Sequence, residues 1–315
     1  MPSRATAAAK GQSRSLALLV LAGLLAGCST LQRSAVNVVG NALSEGGSVY
    51  TSDTDPELVR DALPFGLKTF ESLLAVSPNH KGLLLASANG FAAYAYFLQQ
   101  DADRLDATDF QSAQRLRDRS SKLYLRARDF ALRGLETSYP NFSAMLRSDT
   151  AASLALTRRE DVDFLYWAGA SWAGALATDK DNTGLIADLP LAGALVGRVL
   201  ELDEAYGRGA AHEFLVAYEG SRPGGDVAKA REHYRRALEL SQGLRASVHL
   251  ALAENVDVTT QNLTEFRSLI AASLSVDPER APQDRLVNVI ATRRAQWLQT
   301  MIPTLFVDAE QGDAP

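Results

Sequence analysis

A chain of 315 residues that is 46% hydrophobic has ample material for a packed core. Its 37 acidic residues outnumber 32 basic ones for a formal charge of −5, which excludes general nucleic-acid binding because no basic excess exists to neutralise phosphates. The only cysteine, Cys28, leaves no intramolecular disulfide to form, so stability must come from packing.

The first element is a removable leader. Arg4, Lys10 and Arg14 form a basic head, Leu16 to Leu25 an apolar run, and the small Ala26 and Gly27 precede Cys28. The run is about half the roughly 20 residues a spanning helix needs, so it reads as an export signal rather than a membrane domain. Leu25-Ala26-Gly27-Cys28 has the form of a lipoprotein signal, with the Cys28 thiol as the site of lipid attachment and Cys28 as the mature N-terminus. The acyl chains would tether the protein to a bilayer, each buried methylene contributing roughly 0.8 kcal/mol. Ser29 stands where retention at the inner membrane often calls for aspartate. The expected location is therefore the periplasm, on the inner leaflet of the outer membrane. Removing residues 1–27, which carry three basic and no acidic residues, leaves the remainder more acidic still. The expected organisation is a signal peptide over 1–27, a lipid-anchored segment over 28–54, a helical domain over 55–307 and a flexible tail over 308–315.

After Asp55 apolar residues recur at three- and four-residue spacing, with hardly any period-two alternation. Asp55-Pro56 reads as a helix cap followed by a first-turn proline, and Asp188-Leu189-Pro190 as a less regular version of the same start. Ser77-Pro78 and Asp277-Pro278 read as helix stops, while Pro64 either kinks one long helix or separates two short ones. The helix ends also resemble one another. Ala230, Tyr234 and Ala237 have the small-aromatic-small spacing of the second helix of a tetratricopeptide repeat. Weaker echoes occur at Gly66, Phe70 and Leu73, at Ala127, Ala131 and Gly134, at Ala192, Val196 and Val199, and at Phe266, Ile270 and Ser273. The last two intervals between echoes fit one slightly long repeat each, and the first two fit either two repeats or one repeat plus an insertion. The expected fold is all-α, an irregular tetratricopeptide-like array of helical hairpins forming an α–α superhelix. Such arrays present concave binding surfaces or channels, so binding rather than catalysis is the default function.

The candidate chemistry is thin. His212-Glu213 suggests a zinc-protease helix, but position 216 is Val216 and the second histidine ligand is missing. Asp179, Asp181 and Thr183 with Gly184 match the first half of a calcium loop, yet Pro190 stands where the bidentate glutamate belongs. The same residues suit a turn and cap before a helix starting near Pro190. No glycine-rich phosphate loop or nucleophile elbow is present, so neither an enzyme, a metal nor a cofactor is expected. Two aromatic clusters, Phe91, Tyr94, Tyr96 and Phe97 and then Phe164, Tyr166, Trp167 and Trp172, suit either solenoid packing or the wall of an apolar ligand channel.

Several stretches together resemble one family. Ala62-Leu63-Pro64-Phe65, Gly82-Leu83-Leu84-Leu85-Ala86, Leu123-Tyr124-Leu125-Arg126-Ala127, Tyr166-Trp167, Gly209-Ala210-Ala211-His212-Glu213-Phe214 and Arg293-Arg294-Ala295-Gln296-Trp297 occur in order behind the lipobox. They look like the T component of tripartite ATP-independent periplasmic (TRAP) transporters. The resemblance implies a non-enzymatic, homotrimeric lipoprotein that docks a TRAP-type periplasmic substrate-binding protein and offers a channel for a small apolar or organic-acid ligand. Tyr166, Trp167, His212 and Glu213 lie in the matching stretches and are the candidate lining of that channel, joined by Asn255 at a helix end. The competing reading is an envelope-assembly scaffold lipoprotein with an open groove and no transport partner.

Overall fold

The computed structural model describes residues 37, 39–43 and 47–307. The Cys28 lipidation site, the leader and the C-terminal tail lie outside these residues. Among the described residues the chain is helical, without strands. After the short α1 (Gly47–Thr51) come α2 (Pro56–Val76), α3 (Lys81–Leu105) and α4 (Phe110–Glu136). Two short helices follow, α5 (Phe142–Ser148) and α6 (Thr150–Ala155), then α7 (Val162–Thr178) and α8 (Thr183–Leu202). The C-terminal half holds α9 (Ala210–Ser221), α10 (Val227–Ser241), α11 (Ala246–Leu252), α12 (Leu263–Leu274) and α13 (Arg285–Leu305). None of these helices is long and apolar enough to cross a membrane.

Short polar side chains set the starts. Asp55 accepts from the Leu58 amide, Asp109 from Ser112, Asn182 from Leu185 and Asn262 from Glu265, each satisfying a first-turn donor that the helix itself cannot pair. Pro64 lies inside a single α2. The expected start at Pro190 is incorrect: α8 begins at Thr183, capped by Asn182, and Pro190 lies within it. Asp188 instead receives both guanidinium nitrogens of Arg147, at 2.6 and 2.9 Å. Asp179 accepts from the Asn182 side chain at 2.9 Å, so these calcium-loop lookalikes organise a turn and a cap.

The five repeat echoes fall on α2, α4, α8, α10 and α12, which are alternate members of the array. Gly134 shows what the small positions are for. A methyl group there would overlap the ring of the buried Phe164, so α4 and α7 approach closely only because position 134 has no side chain. The long early intervals have two causes. Helices α3 and α4 are themselves long, and residues 137–161, with α5 and α6, are inserted between α4 and α7. The buried apolar residues form two clusters, one from Val59 to Leu215 and one from Val216 to Phe306, which meet at α9.

The array closes on itself. Arg294 on α13 donates to Asp103 on α3 at 2.8 Å and to Glu254 at 2.6 Å. Arg293 pairs with Glu57 at the start of α2, and Arg285 donates to the Ser52 carbonyl at 3.0 Å. The last helix is thereby joined to the first ones.

Candidate functional site within the helical ring

The helices between the echo-bearing ones, α3, α7, α9 and α11, together with α13, carry the polar groups that converge inside the ring. Tyr96 on α3 and Tyr166 on α7 lie deep in the protein yet are not fully buried. Burial raises both hydroxyl pKa values, that of Tyr166 to about 12. Tyr96 lies within electrostatic reach of Arg294, Glu254, Glu213 and Asp103, and Tyr166 within reach of Arg245 and Glu213. These relationships place residues from all five helices around one zone.

One side of the zone is aromatic. The Tyr166 ring meets Trp167 edge-on at 5.2 Å and Tyr206 at 5.0 Å between centroids. The Tyr206 hydroxyl donates to Asp163 at 2.8 Å, and burial followed by that carboxylate raises its pKa. Leu286 and Ile290 of α13 pack against the same N-terminal core as these aromatic residues.

The charged groups are paired, but not all are satisfied. Glu213 Oε2 stands 2.9 Å from Arg245 Nε, an ion pair in which neither atom has hydrogen-bond alignment. Arg245 Nη1 donates to the Gly207 carbonyl at 2.6 Å. Burial disfavours the Arg245 charge, while Glu213, Tyr166 and Asp284 favour it and prevail, raising its pKa. Arg294 is 9% exposed and stacks over Trp297 at 4.2 Å. Burial is the largest influence on it too, but Glu254 and Asp103 outweigh that penalty and raise its pKa.

Residues 253–257, directly after α11, wind as a π turn, which continues helically to Thr260. The extra residue of this turn lets Glu254 reach Arg294 while Asp257 is fully buried near Arg231 and Glu265. Such turns recur at functional sites, where they redirect side chains without ending the helix.

Tyr166, Trp167 and Glu213 thus belong to one locus. His212, next in sequence to Glu213, points into the adjoining layer, its Nδ1 2.9 Å from Nδ1 of His233 on α10. Burial lowers the pKa of both histidines. Asn255 sits in the π turn, its amide donating to the Ala251 carbonyl at 2.9 Å. Tyr96 belongs to an aromatic cluster that the sequence offers as a channel wall, whereas Arg245 and Arg294 were not singled out as site residues. The available signal was Arg294 itself, which occupies an inward position among Ala291, Ala295 and Leu298.

Guanidinium groups beside carboxylates, aromatic faces and apolar side chains can hold a ligand that combines a polar head with an apolar body. The fold and this interior define an all-α ring of helical hairpins. Residues 52–306 match the family described as TAtT, the TRAP transporter T-component, and the chain belongs to that family. It is also 30% identical over 268 residues to a protein of Treponema pallidum (strain Nichols) described as uncharacterized, across 82% of this chain and 83% of that one.

Proposed function

We propose that this TRAP transporter component is a non-enzymatic lipoprotein, tethered through acylated Cys28 to the periplasmic face of the outer membrane, which docks the system's substrate-binding subunit as a homotrimer. Its ring interior holds or passes a small ligand with apolar and organic-acid character. The observation that carries the ligand-holding part is the closure by Arg294, which joins α13 to both α3 and the π turn and encloses the zone containing Tyr96, Tyr166 and Glu213. Family membership supports the transport part.

The test uses the soluble chain starting at Ser29 as bait against periplasmic extract of the source organism, with captured proteins identified by mass spectrometry. Recovery of a TRAP-type substrate-binding protein supports docking. Recovery of outer-membrane assembly proteins in its place would make the protein a scaffold.

A further inference from the structure

Most arginines in this protein are neutralised within the fold. Arg60, Arg117, Arg147, Arg198, Arg222, Arg231, Arg236 and Arg294 each have a carboxylate partner. The outward face of α4 is different. Arg115, Arg119, Lys122, Arg126, Asp129 and Arg133 are all exposed. At 100° per residue they fall within about 80° of one another, a single stripe in which Arg119 and Arg133 are about 21 Å apart. Among the described residues Arg126 pairs with Glu71, but no ion pair holds Arg115, Arg119, Lys122 or Arg133. Of the carboxylates on this face of α4, Asp129 is paired with Arg128, and Asp118 and Glu136 lie at its border, bonded to Gln114 and Ser143. The stripe is therefore a cationic line on an acidic protein.

Three of its arginines repeat every seven residues, and each lies over an aromatic ring. Arg119 is 5.4 Å from the Tyr94 ring and also donates to its hydroxyl, Arg126 is 4.8 Å from Phe91, and Arg133 is 5.3 Å from Phe130. Phe91 and Phe130 stack on each other at 5.6 Å, so two of the rings form one platform. Stacking restrains long side chains without consuming their charge, which lowers the ordering cost of meeting an anionic partner.

The C-terminal part of the stripe, from Arg126 to Arg133, is a ridge between two hollows. One, of about 590 Å³, lies toward α2 and includes Lys68, Glu71 and Leu74. The other, of about 280 Å³, lies toward α5 and α7 and includes Arg147, Leu146 and Trp172. Asp129 and Arg133 border both. A flat lipid headgroup layer would meet the ridge and leave the hollows unfilled, whereas side chains of a protein element can enter both.

We infer that this arginine stripe is the docking face for an acidic element of the substrate-binding subunit, with carboxylates on the ridge and neighbouring side chains in the hollows. The inference rests on the docking function proposed above and assigns it to the outer face of α4, away from the ring interior.

The test titrates the soluble chain from Ser29 with the purified TRAP-type substrate-binding subunit obtained in the capture experiment. Three variants accompany the wild type: R115E/R119E/R133E, the charge-keeping R119K/R133K, and K229E/R235E as a reversal on the outer helix α10. The stripe reversal is expected to weaken binding at least tenfold, mainly through slower association, and to remove most of its salt dependence. The lysine variant and the α10 reversal are expected to bind within about threefold of wild type. Circular dichroism and gel filtration establish that each variant is folded. Equal binding by the folded stripe reversal overturns this assignment and leaves docking intact. Failure of the wild type to capture any TRAP-type subunit overturns docking itself, and this inference with it. Loss of self-association, or of binding to phosphatidylglycerol vesicles, without loss of subunit binding reassigns the stripe and also overturns it.

Discussion

Arg294 and Asp103 are separated by 191 residues and joined by a 2.8 Å hydrogen bond between a guanidinium and a carboxylate. Together with Glu254 on the other side of the guanidinium, the contact converts a linear run of hairpins into a ring.

Replacing Arg294 by alanine leaves Asp103 and Glu254 facing each other with their shared cation gone. Breaking one side of a buried pair typically costs about 3–5 kcal/mol. The expected outcome is a destabilisation of that order in urea unfolding, with hydrogen exchange accelerating first in α13 and α2. A variant that unfolds at the wild-type midpoint would show that the closure contributes nothing.

Gly134→Ala tests the close approach of α4 and α7. The new methyl must displace the Phe164 ring, which is 5% exposed and has little space to enter. Overpacking of this kind costs about 1–3 kcal/mol, more than the helix propensity alanine would gain. Thermal unfolding should show a lower midpoint, and a higher one would mean that the ring relocates freely.

Asp257 gives the stability a pH dependence. It is fully buried, and burial followed by Glu265 raises its pKa from 3.8 to about 7. The folded chain therefore holds a proton that the unfolded chain releases, so this contribution is complete below pH 3.8 and is lost as pH rises toward 7. Glu265, held low by Arg231, acts in the opposite sense, losing its contribution as pH falls. Asp257→Asn should leave stability at pH 5 nearly unchanged and raise it at pH 8 by about 1–3 kcal/mol, the scale of a buried unsatisfied group. Denaturation curves at the two pH values measure the difference.

The Nδ1 atoms of His212 and His233 face each other at 2.9 Å, a hydrogen-bond distance that requires one ring to donate and the other to accept, which two imidazolium rings cannot do. Burial lowers both pKa values below 6.5, so the unfolded chain takes up protons before the folded one does. This contribution to stability is present above pH 6.5 and is lost as pH falls through the lowered folded values. Imidazole ¹⁵N spectra should show both rings titrating below 6.5 and a retained Nδ1 proton on one of them.

The aromatic side of the interior predicts a ligand effect. Trp167→Ala removes the edge that rests on Tyr166 and should weaken binding of a fluorescent fatty-acid probe about tenfold, the scale of one aromatic contact. Unchanged affinity in a folded variant would return Trp167 to a packing role.

Much of the fold was legible because it is written in local patterns. The five echoes mark five alternate helices, and Asp55-Pro56 marks a real start. Pro190 misled for a physical reason. Asn182 caps three residues before the Leu185 amide, so the helix is already established when it reaches the proline. The interior was less legible. Arg294 meets Asp103 only when the chain closes, and no local spacing encodes a partner 191 residues away. The His212-Glu213 pair shows the complementary difficulty, since adjacent residues on α9 diverge into different layers.

An open solenoid flexes like a spring, because small rotations between neighbouring repeats add up along its length. Arg293, Arg294 and Arg285 join the two ends of this one, and a joined spring becomes a hoop. In a hoop each hinge movement must be cancelled by the others, so the arrangement of the ring is set by the number and length of its helices rather than by bending. For the ligand-holding role proposed above, a ligand of fixed girth would then be admitted or refused largely by size, and widening the ring would first require unfastening the seam.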